Sequence, residues 1–224
     1  AETIRAGRLM GTLAGIQCAE GAGLMSTASF LAPHAGFNAV AKGHIAPLIN
    51  GDGSTSKQPA LVCVDGQAYP ALALSVLLEA TGAGIDMEGV NSAKIVANSS
   101  PMGADQTLTL DSYPGLAVPL DADGNLRISY RRAPESYLTI SAADILFGRA
   151  GTELLDKAWV LVGATAFGLG DVVPTPYSGA TPGVELQARI LGSLLDVAVP
   201  YAPNSAAAIQ VFIAGLFALA LLVM

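Results

Sequence analysis

A glycine-rich loop between an apolar run and a helical pattern holds the residues most capable of chemistry. The loop spans residues 163–170 after the apolar run 159–162. Thr165 lies within it, and the polar residues Asp171 and Thr175 follow it. Because α/β sheets place ligands at the carboxyl edge of their strands, these three side chains are candidate ligand contacts. The loop lacks the Lys-Ser/Thr ending of a phosphate loop and the Gly-x-Gly-x-x-Gly spacing. A tight turn that glycine makes without strain is therefore favoured over a nucleotide site.

Asp171 and Glu185 form a possible pair of carboxylates, provided that the loop folds back over the start of the next helical segment. Two such groups could divide the roles of general acid and general base. Glu185 is more simply explained as a negative charge that stabilises the N-terminus of a helix. Glu185 therefore joins the candidate ligand contacts, and no catalytic residue is assigned.

The remaining motifs that could bind a metal or a phosphate are better explained by structural roles. Residues 121–125 (Asp-Ala-Asp-Gly-Asn) lack the third oxygen ligand and the later glutamate of an EF-hand, and the flanking leucines favour a hairpin turn. In residues 53–57 the lysine comes last, which is not the order of a P-loop. His34 and His44 have no carboxylate at metal-ligand spacing. We therefore expect neither a metal nor a cofactor.

The cysteines and the charges argue against a zinc or redox site and against nucleic-acid binding. Cys18 and Cys63 have neither the pairing nor the spacing of a zinc or redox motif. The even count permits one disulfide in an oxidising compartment, although two separate buried thiols are favoured. The formal net charge is −7, and the 11 Lys+Arg residues are scattered except for Arg127, Arg131 and Arg132. Without a basic stripe to follow a phosphate backbone, nucleic acid is not an expected partner.

The elements around the loop alternate short apolar runs with helical patterns. This alternation predicts an α/β fold, a Rossmann-like layered sheet with flanking helices. Strands are predicted over residues 59–64, 94–98 and 159–162. The last of these is expected to be a buried central strand because it is fully apolar. Residues 116–120 and 126–130 flank an Asp-Gly turn as the strands of a hairpin would.

Helices are predicted from capping residues and from apolar residues at 3.6-residue spacing. Residues 70–81 carry a proline in the first turn and precede a glycine, and residues 141–148 form a short capped helix. The alanine-, glycine- and leucine-rich residues 7–40 are also interpreted as helical. A further helix covers residues 182–196 and is expected to pack on the sheet. Its core-facing residues are predicted to be Val184, Ala188, Leu191 and Leu195.

The composition indicates contact with lipid. The 224-residue chain is 52% hydrophobic and 13% charged, about half the usual charged share of roughly 25%. Residues 206–224 carry no charge and, as a helix, would extend about 28 Å, nearly the thickness of a bilayer core. We predict a transmembrane helix over residues 204–224, with a buried C-terminal core helix as the alternative. The absence of Lys and Arg from residues 191–224 gives no positive-inside signal, which favours residues 1–200 outside the cytoplasm.

An ordered series of segments is far more specific than any one of its members. The segments are residues 140–146, 160–166, 168–171, 175–176 and 182–188, with further segments upstream at residues 36–38, 52–53 and 65–73. Together they resemble the CHASE2 family. The signature positions carried over by the resemblance are Gly163, Gly168, Pro176, Pro182 and Gly183. The similarity covers roughly residues 30–224, and the family contributes no catalytic residues to this domain.

The resemblance implies an extracytoplasmic sensor module of a bacterial receptor, located in the inner membrane with residues 1–200 on the periplasmic side. Members are usually followed by transmembrane helices and a cytoplasmic adenylate/guanylate cyclase, histidine kinase or Ser/Thr kinase domain. The family's opening transmembrane helix and first strand are missing, so the chain is expected to lack its first part and to end within a truncated span. The family's arginine after Asp-Gly is replaced by Lys57 or shifted, and Gln187 stands where histidine is common.

The leading hypothesis is a sensory domain whose ligand state or assembly state moves residues 182–196 and the adjoining span. Its expected partners are membrane lipid, a second copy or other membrane-protein subunits, and a small molecule of unknown identity. The alternative is a non-catalytic accessory or assembly subunit of a membrane complex. The weakest rival is a hydrolase or nucleotide enzyme built on residues 163–171.

Overall fold

The computed structural model of the chain describes residues 3–7, 9, 11–19, 23–34, 43–80, 92–166, 168 and 171–223. The first strands are β1 (Arg5–Ala6), β2 (Met25–Ser26), β3 (Phe30–Leu31), β4 (Leu48–Ile49), β5 (Thr55–Pro59), β6 (Leu61–Val64) and β7 (Gln67–Pro70). They are followed by β8 (Ala93–Ala97), β9 (Gln106–Leu110), β10 (Tyr113–Leu120), β11 (Asn125–Arg127), β12 (Val172–Val173) and β13 (Thr181–Pro182). The helices are α1 (Leu72–Ala80), α2 (Ala142–Leu146), α3 (Gly183–Leu195) and α4 (Ala206–Val223).

The architecture is mixed α/β, as predicted, but the strands form several small sheets. In the described residues the three-stranded sheets run in the orders β10-β9-β8, β11-β5-β4 and β2-β6-β7, and most neighbours are antiparallel. The prediction of one Rossmann-like layered sheet is therefore wrong for this part of the chain. Short connections such as Asp65-Gly66 return β7 beside β6 in an antiparallel pair, whereas parallel pairing needs a long crossover.

The core lies where α1 and α3 pack together and cover the sheets. Its fully buried members include Leu74 and Leu78 from α1 and Leu186, Ile190 and Leu194 from α3. These positions in α3 follow one another at i, i+4 spacing, so one row of large side chains faces the core. The predicted range of α3 is confirmed to within one residue at each end.

The predicted core-facing residues of α3 need correction. Leu191 is buried, but Val184 and Ala188 are only partly buried and Leu195 is exposed. The helix turns the row Leu186–Ile190–Leu194 inward instead. Burying three large side chains removes more apolar surface from water than burying a row that contains an alanine.

The apolar run 159–162 is not the buried central strand that its composition predicts. It forms no strand, and Trp159 and Val162 are 47% and 87% exposed. An apolar composition favours burial but does not supply the neighbouring strand that a central strand requires. Within the described residues no strand pairs with this run.

The N-terminal stretch 7–40 is not helical where the structure describes it, and its last six residues lie outside the described part. It forms β2 and β3, which alternate with turns. Gly7, Gly11 and Gly15 adopt positive φ angles of 79°, 90° and 81°, which end a right-handed helix. A composition rich in helix formers is thus overridden by glycines in the left-handed region.

The Asp-Gly turn at residues 121–124 is confirmed, whereas the hairpin is not. The Asp121 carbonyl accepts a hydrogen bond from Gly124 N, and Gly124 has φ +73°. The strands on either side join different sheets, because β10 pairs with β9 and β11 pairs with β5. The turn therefore links two sheets.

Cys18 and Cys63 form a disulfide, which corrects the expectation of two separate thiols. Their Cα atoms are 5.7 Å apart across a sequence separation of 45 residues. The bridge joins the N-terminal stretch to the buried strand β6. Persistent disulfides of this kind are typical of oxidising compartments outside the cytoplasm.

Helix α4 follows the folded core and consists of apolar side chains, Gln210 excepted. Residues 207–222 are exposed along the whole helix. Within the described residues, no helix satisfies the combined length and hydropathy criteria for a membrane-crossing segment.

Candidate functional site

The glycine-rich loop folds back over the N-terminus of α3 and brings several signature residues together. Gly163 packs against Val184 so closely that a Cβ atom added to this glycine would lie 2.5 Å from the Val184 Cβ. Gly183 N donates a hydrogen bond of 3.0 Å to the Asp171 carbonyl. The Asp171 carboxylate lies over Gly183, in the space that a side chain at position 183 would occupy. The small signature residues therefore allow the loop and the helix to approach closely.

Thr175 closes a turn directly before α3. Its hydroxyl lies 2.8 Å from that of Thr181 in β13, and its backbone N–H donates a hydrogen bond of 2.7 Å to Ser178 O. Both threonine side chains are buried. Pro176 is exposed within this turn, and Pro182 is the N-cap residue of α3. This arrangement fixes the direction in which α3 begins.

The other predicted positions lie at the surface of the loop. Thr165 and Asp171 are exposed, and Gly168 has φ +86° in a turn. Glu185 lies one turn into α3 and is partly buried. The structure therefore brings Gly163, Asp171 and Gly183 together at the N-terminus of α3. Thr175 contacts Thr181 just before this helix, and Glu185 lies within its first turns.

Glu185 forms an ion pair with Arg189, one turn further along α3. The Glu185 Oε1 atom lies 2.8 Å from Nη2 and 3.2 Å from Nε of Arg189. Only 1% of the Arg189 side chain is exposed, compared with 24% for Glu185. A buried guanidinium needs such a partner because removing an unpaired charge from water is costly.

Three tyrosine rings enclose the Arg189 guanidinium. The carbon Cζ lies 5.4, 5.5 and 5.2 Å from the ring centroids of Tyr130, Tyr137 and Tyr177. Arg189 Nη1 also donates a hydrogen bond of 2.7 Å to the Arg132 carbonyl. Tyr130 and Tyr177 pack edge to face at 6.1 Å. We call Glu185, Arg189 and the three tyrosines the arginine cluster; it ties α3 to two separate loops.

Two of the tyrosines in the arginine cluster act as hydrogen-bond donors. The Tyr130 hydroxyl donates to Thr55 O at 2.5 Å, and the Tyr177 hydroxyl donates to Tyr130 O at 2.7 Å. Burial raises the pKa of Tyr130 to about 12, although the Arg189 charge acts in the opposite direction. Burial likewise raises the pKa of Tyr137. A phenol with a raised pKa stays protonated at neutral pH, which suits a structural donor.

Of the arginine cluster, only Glu185 was predicted from the sequence as a site residue. The pair Glu185 and Arg189 has the i, i+4 spacing of a helical ion pair, and that signal was available. The burial of Arg189 could not be predicted, because Tyr130 and Tyr137 are far from α3 in the chain and join Tyr177 around the guanidinium only after folding.

A buried amide pair ties α3 to the sheet on another side. Gln187 Nε2 donates a hydrogen bond of 3.1 Å to Gln58 Oε1, and both residues are buried. Gln58 Nε2 in turn contacts the His44 carbonyl at 3.4 Å. Burial lowers the pKa of His44 to about 4, and the Pro59 backbone carbonyl opposes this effect. The imidazole is therefore neutral at pH 7.

A hydrogen-bonded linker, residues 196–205, joins α3 to α4. At its start Asp196 forms an ion pair with Arg132. At its end Asn204 N donates a hydrogen bond of 2.8 Å to Gly103 O, and Ser205 N donates one of 2.9 Å to Pro101 O. The linker is thus held to the domain at both ends.

The geometry defines a small disulfide-bonded α/β domain whose last core helix continues, through this linker, into an exposed apolar helix. The family model of the CHASE2 domain matches residues 2–224, and the chain belongs to the CHASE2 family. CHASE2 domains are extracytoplasmic, non-catalytic sensor domains of signalling receptors. The chain matches no curated protein and no solved structure.

Proposed function

We propose that the chain is the sensory module of a bacterial membrane receptor, with residues 1–200 in the periplasm. In this proposal α3 passes a ligand state or an assembly state through the linker to α4. Helix α4 lies in the inner membrane and leads to a cytoplasmic cyclase or kinase domain. The observation that carries the proposal is the continuous path from the arginine cluster through α3 and the linker to α4.

The character of α4 supports the proposed membrane contact. Its 18 residues carry no charge, and its large side chains are exposed throughout, for example Phe212, Phe217 and Leu222. Large apolar side chains exposed around a helix are stable in lipid but not in water. The disulfide between Cys18 and Cys63 supports an oxidising environment for the rest of the domain.

The arginine cluster supports the transmission step. It fixes α3 to the loops that carry Tyr137 and Tyr177, so a change in either loop alters the contacts of Arg189. Sensing requires two states that a stimulus binds with different affinity. We propose that exposed Thr165 and Asp171 meet the stimulus, while Thr175 and Glu185 pass its effect to α3.

The test is the membrane attachment and sidedness of the chain in bacterial cells. Wild-type protein should stay in the membrane after carbonate extraction, and a cysteine introduced by Ser178→Cys should react with a membrane-impermeant maleimide in intact spheroplasts. Leu216→Arg in α4 should shift the protein towards the soluble fraction, because a central arginine costs about 3 kcal/mol on insertion. Leu31→Arg, at an exposed position of β3, is the matched control. Extraction of the wild type, or labelling only after lysis, would reject the proposal.

A second candidate function, an accessory or assembly subunit, is favoured by an exposed apolar surface. Residues 138–162 expose Leu138, Leu146, Phe147 and Val162. Exposed patches of this kind often mark protein interfaces. We propose that this surface contacts a second copy or another membrane-protein subunit. Light scattering on the detergent-solubilised chain should show a dimer that Val162→Asp converts to a monomer. A monomeric wild type would exclude the binding of a second copy through this surface.

A further inference from the structure

A cavity of about 230 Å³ lies between the turn at residues 121–124 and the linker that leads to α4. Tyr201 contributes an aromatic wall, and the charged and amide side chains of the lining are Lys57, Asp105, Asp121, Asp123, Asn125 and Arg127. The volume is below the roughly 300–1,000 Å³ of pockets for drug-sized molecules. The cavity therefore suits a small ligand with polar groups.

Two cations stand side by side on neighbouring strands at this cavity. Lys57 in β5 and Arg127 in β11 are direct cross-strand partners, so their side chains share one face of the sheet. Like charges placed directly opposite each other destabilise a sheet. Lys57 Nζ is neutralised by Asp121 Oδ2 at 2.7 Å. In the described part of the chain, the Arg127 guanidinium has no such partner.

Asp121 is fully used by its protein contacts. Besides Lys57, its carboxylate accepts hydrogen bonds from Asp123 N at 3.1 Å and Asn125 N at 2.9 Å. Burial alone would raise the pKa of Asp121, but the hydrogen bonds from Lys57 and Asn125 outweigh it and lower the pKa. Asp121 thus serves the turn and balances Lys57, which leaves Arg127 as the cation open to a ligand.

Two further carboxylates complete a site for both signs of charge. Asp105 is partly buried and Asp123 is exposed, and both line the cavity. Across the described residues neither carboxylate forms an ion pair. A ligand that carried only a negative charge would meet Arg127 but be repelled by Asp105 and Asp123. A ligand that carried only a positive charge would pair with these carboxylates but leave Arg127 without a partner.

We propose that this cavity binds a small zwitterion of the α-amino acid class. The ligand carboxylate pairs with Arg127 through the planar, two-pronged geometry that guanidinium groups offer. The ligand ammonium faces Asp105 and Asp123. The Tyr201 ring adds an aromatic face that attracts cations.

The position of the cavity gives such a ligand a route to α4. Pro200, Tyr201 and Ala202 belong to the linker and form one wall. A few residues later, Asn204 and Ser205 bind the loop at residues 101–103, directly before α4 begins. A bound ligand would connect the sheet to the linker. Only this coupling step rests on the proposed sensory function; binding itself does not.

The proposal is tested by titration calorimetry on the full chain in detergent micelles at low ionic strength. The probes are glycine, L-alanine, L-serine and L-glutamate, with acetate and ethylammonium as single-charge comparisons. At least one amino acid should bind, and at least about tenfold more tightly than either single-charge probe, because both charges are paired. Absence of binding by all four amino acids, or equal binding of acetate, would overturn the proposal.

Two variants locate the binding. Arg127→Gln should weaken the amino acid at least about tenfold by removing a charged hydrogen-bond partner. Arg149→Gln, which removes the same charge from exposed residues near α2, should leave the affinity within twofold. Asp105→Asn should also weaken binding, because it removes a carboxylate that faces the ammonium group at the opposite end of the ligand. Unchanged affinity in correctly folded Arg127→Gln and Asp105→Asn would refute the site. Failure of binding in a chain that passes the membrane test would reject this cavity alone and leave the proposed function intact.

Discussion

Replacing Arg189 with methionine should destabilise the domain strongly, since it removes the central charge of the arginine cluster while keeping an apolar stem. Glu185 would lose its ion-pair partner at 2.8 Å, and the Arg132 carbonyl would lose its donor at 2.7 Å. Breaking a buried ion pair from one side costs about 3–5 kcal/mol. Because Glu185 is 24% exposed, we expect the lower end, about 3 kcal/mol. Total stabilities of folded domains are only about 5–15 kcal/mol.

Urea unfolding of the full chain in mild detergent, followed by far-ultraviolet circular dichroism, measures this loss. With a denaturant slope of about 1–3 kcal/mol/M, a loss of about 3 kcal/mol lowers the urea midpoint by about 1–3 M. Arg149→Met is the matched control, because Arg149 pairs with Asp144 at the surface. An exposed ion pair is worth about 0–1 kcal/mol, so this control should unfold near the wild type.

The comparison with Arg189→Lys separates charge from geometry. Lysine keeps the positive charge but lacks the planar fork and stacks less well on aromatic rings. We expect Arg189→Lys to lie between the wild type and Arg189→Met. If Arg189→Met lost less than about 1 kcal/mol, the arginine cluster would not be holding α3 in place and the reasoning would be refuted.

Three further predictions concern packing, the disulfide and pH. Gly163→Ala should cost about 1–3 kcal/mol in urea unfolding through its clash with Val184, whereas Gly115→Ala, with open space around it, should change little. Reducing the disulfide of Cys63, which closes 45 residues, should cost roughly 4 kcal/mol in the same assay. The pKa of His44 is about 4 in the folded domain and 6.5 in the unfolded chain. The neutral, buried imidazole therefore stabilises the folded state fully above pH 6.5, and this stabilisation is lost as the pH falls through 4. His44→Gln should therefore lose less stability between pH 7 and 4 than wild type, by up to roughly 3 kcal/mol; parallel pH profiles would contradict this.

The sequence determined the elements that depend on neighbouring residues. The apolar run before Asp65-Gly66 became the buried strand β6 and its turn, and residues 70–81 contain α1. Helix α3 begins after Pro182, as the fixed φ of proline favours. The ordered signature segments also identified the CHASE2 family. In each case the deciding physics is local: backbone sterics, capping and apolar periodicity act over a few residues.

The tertiary structure decided which surfaces meet. The sequence favoured separate thiols, but folding brings Cys18 beside Cys63. It predicted Trp159 in a central strand, yet no described strand lies beside that run. It gave no sign that three tyrosines enclose Arg189. Most of these contacts join residues tens of positions apart, and their free energy depends on burial and neighbours that exist only once the chain has folded.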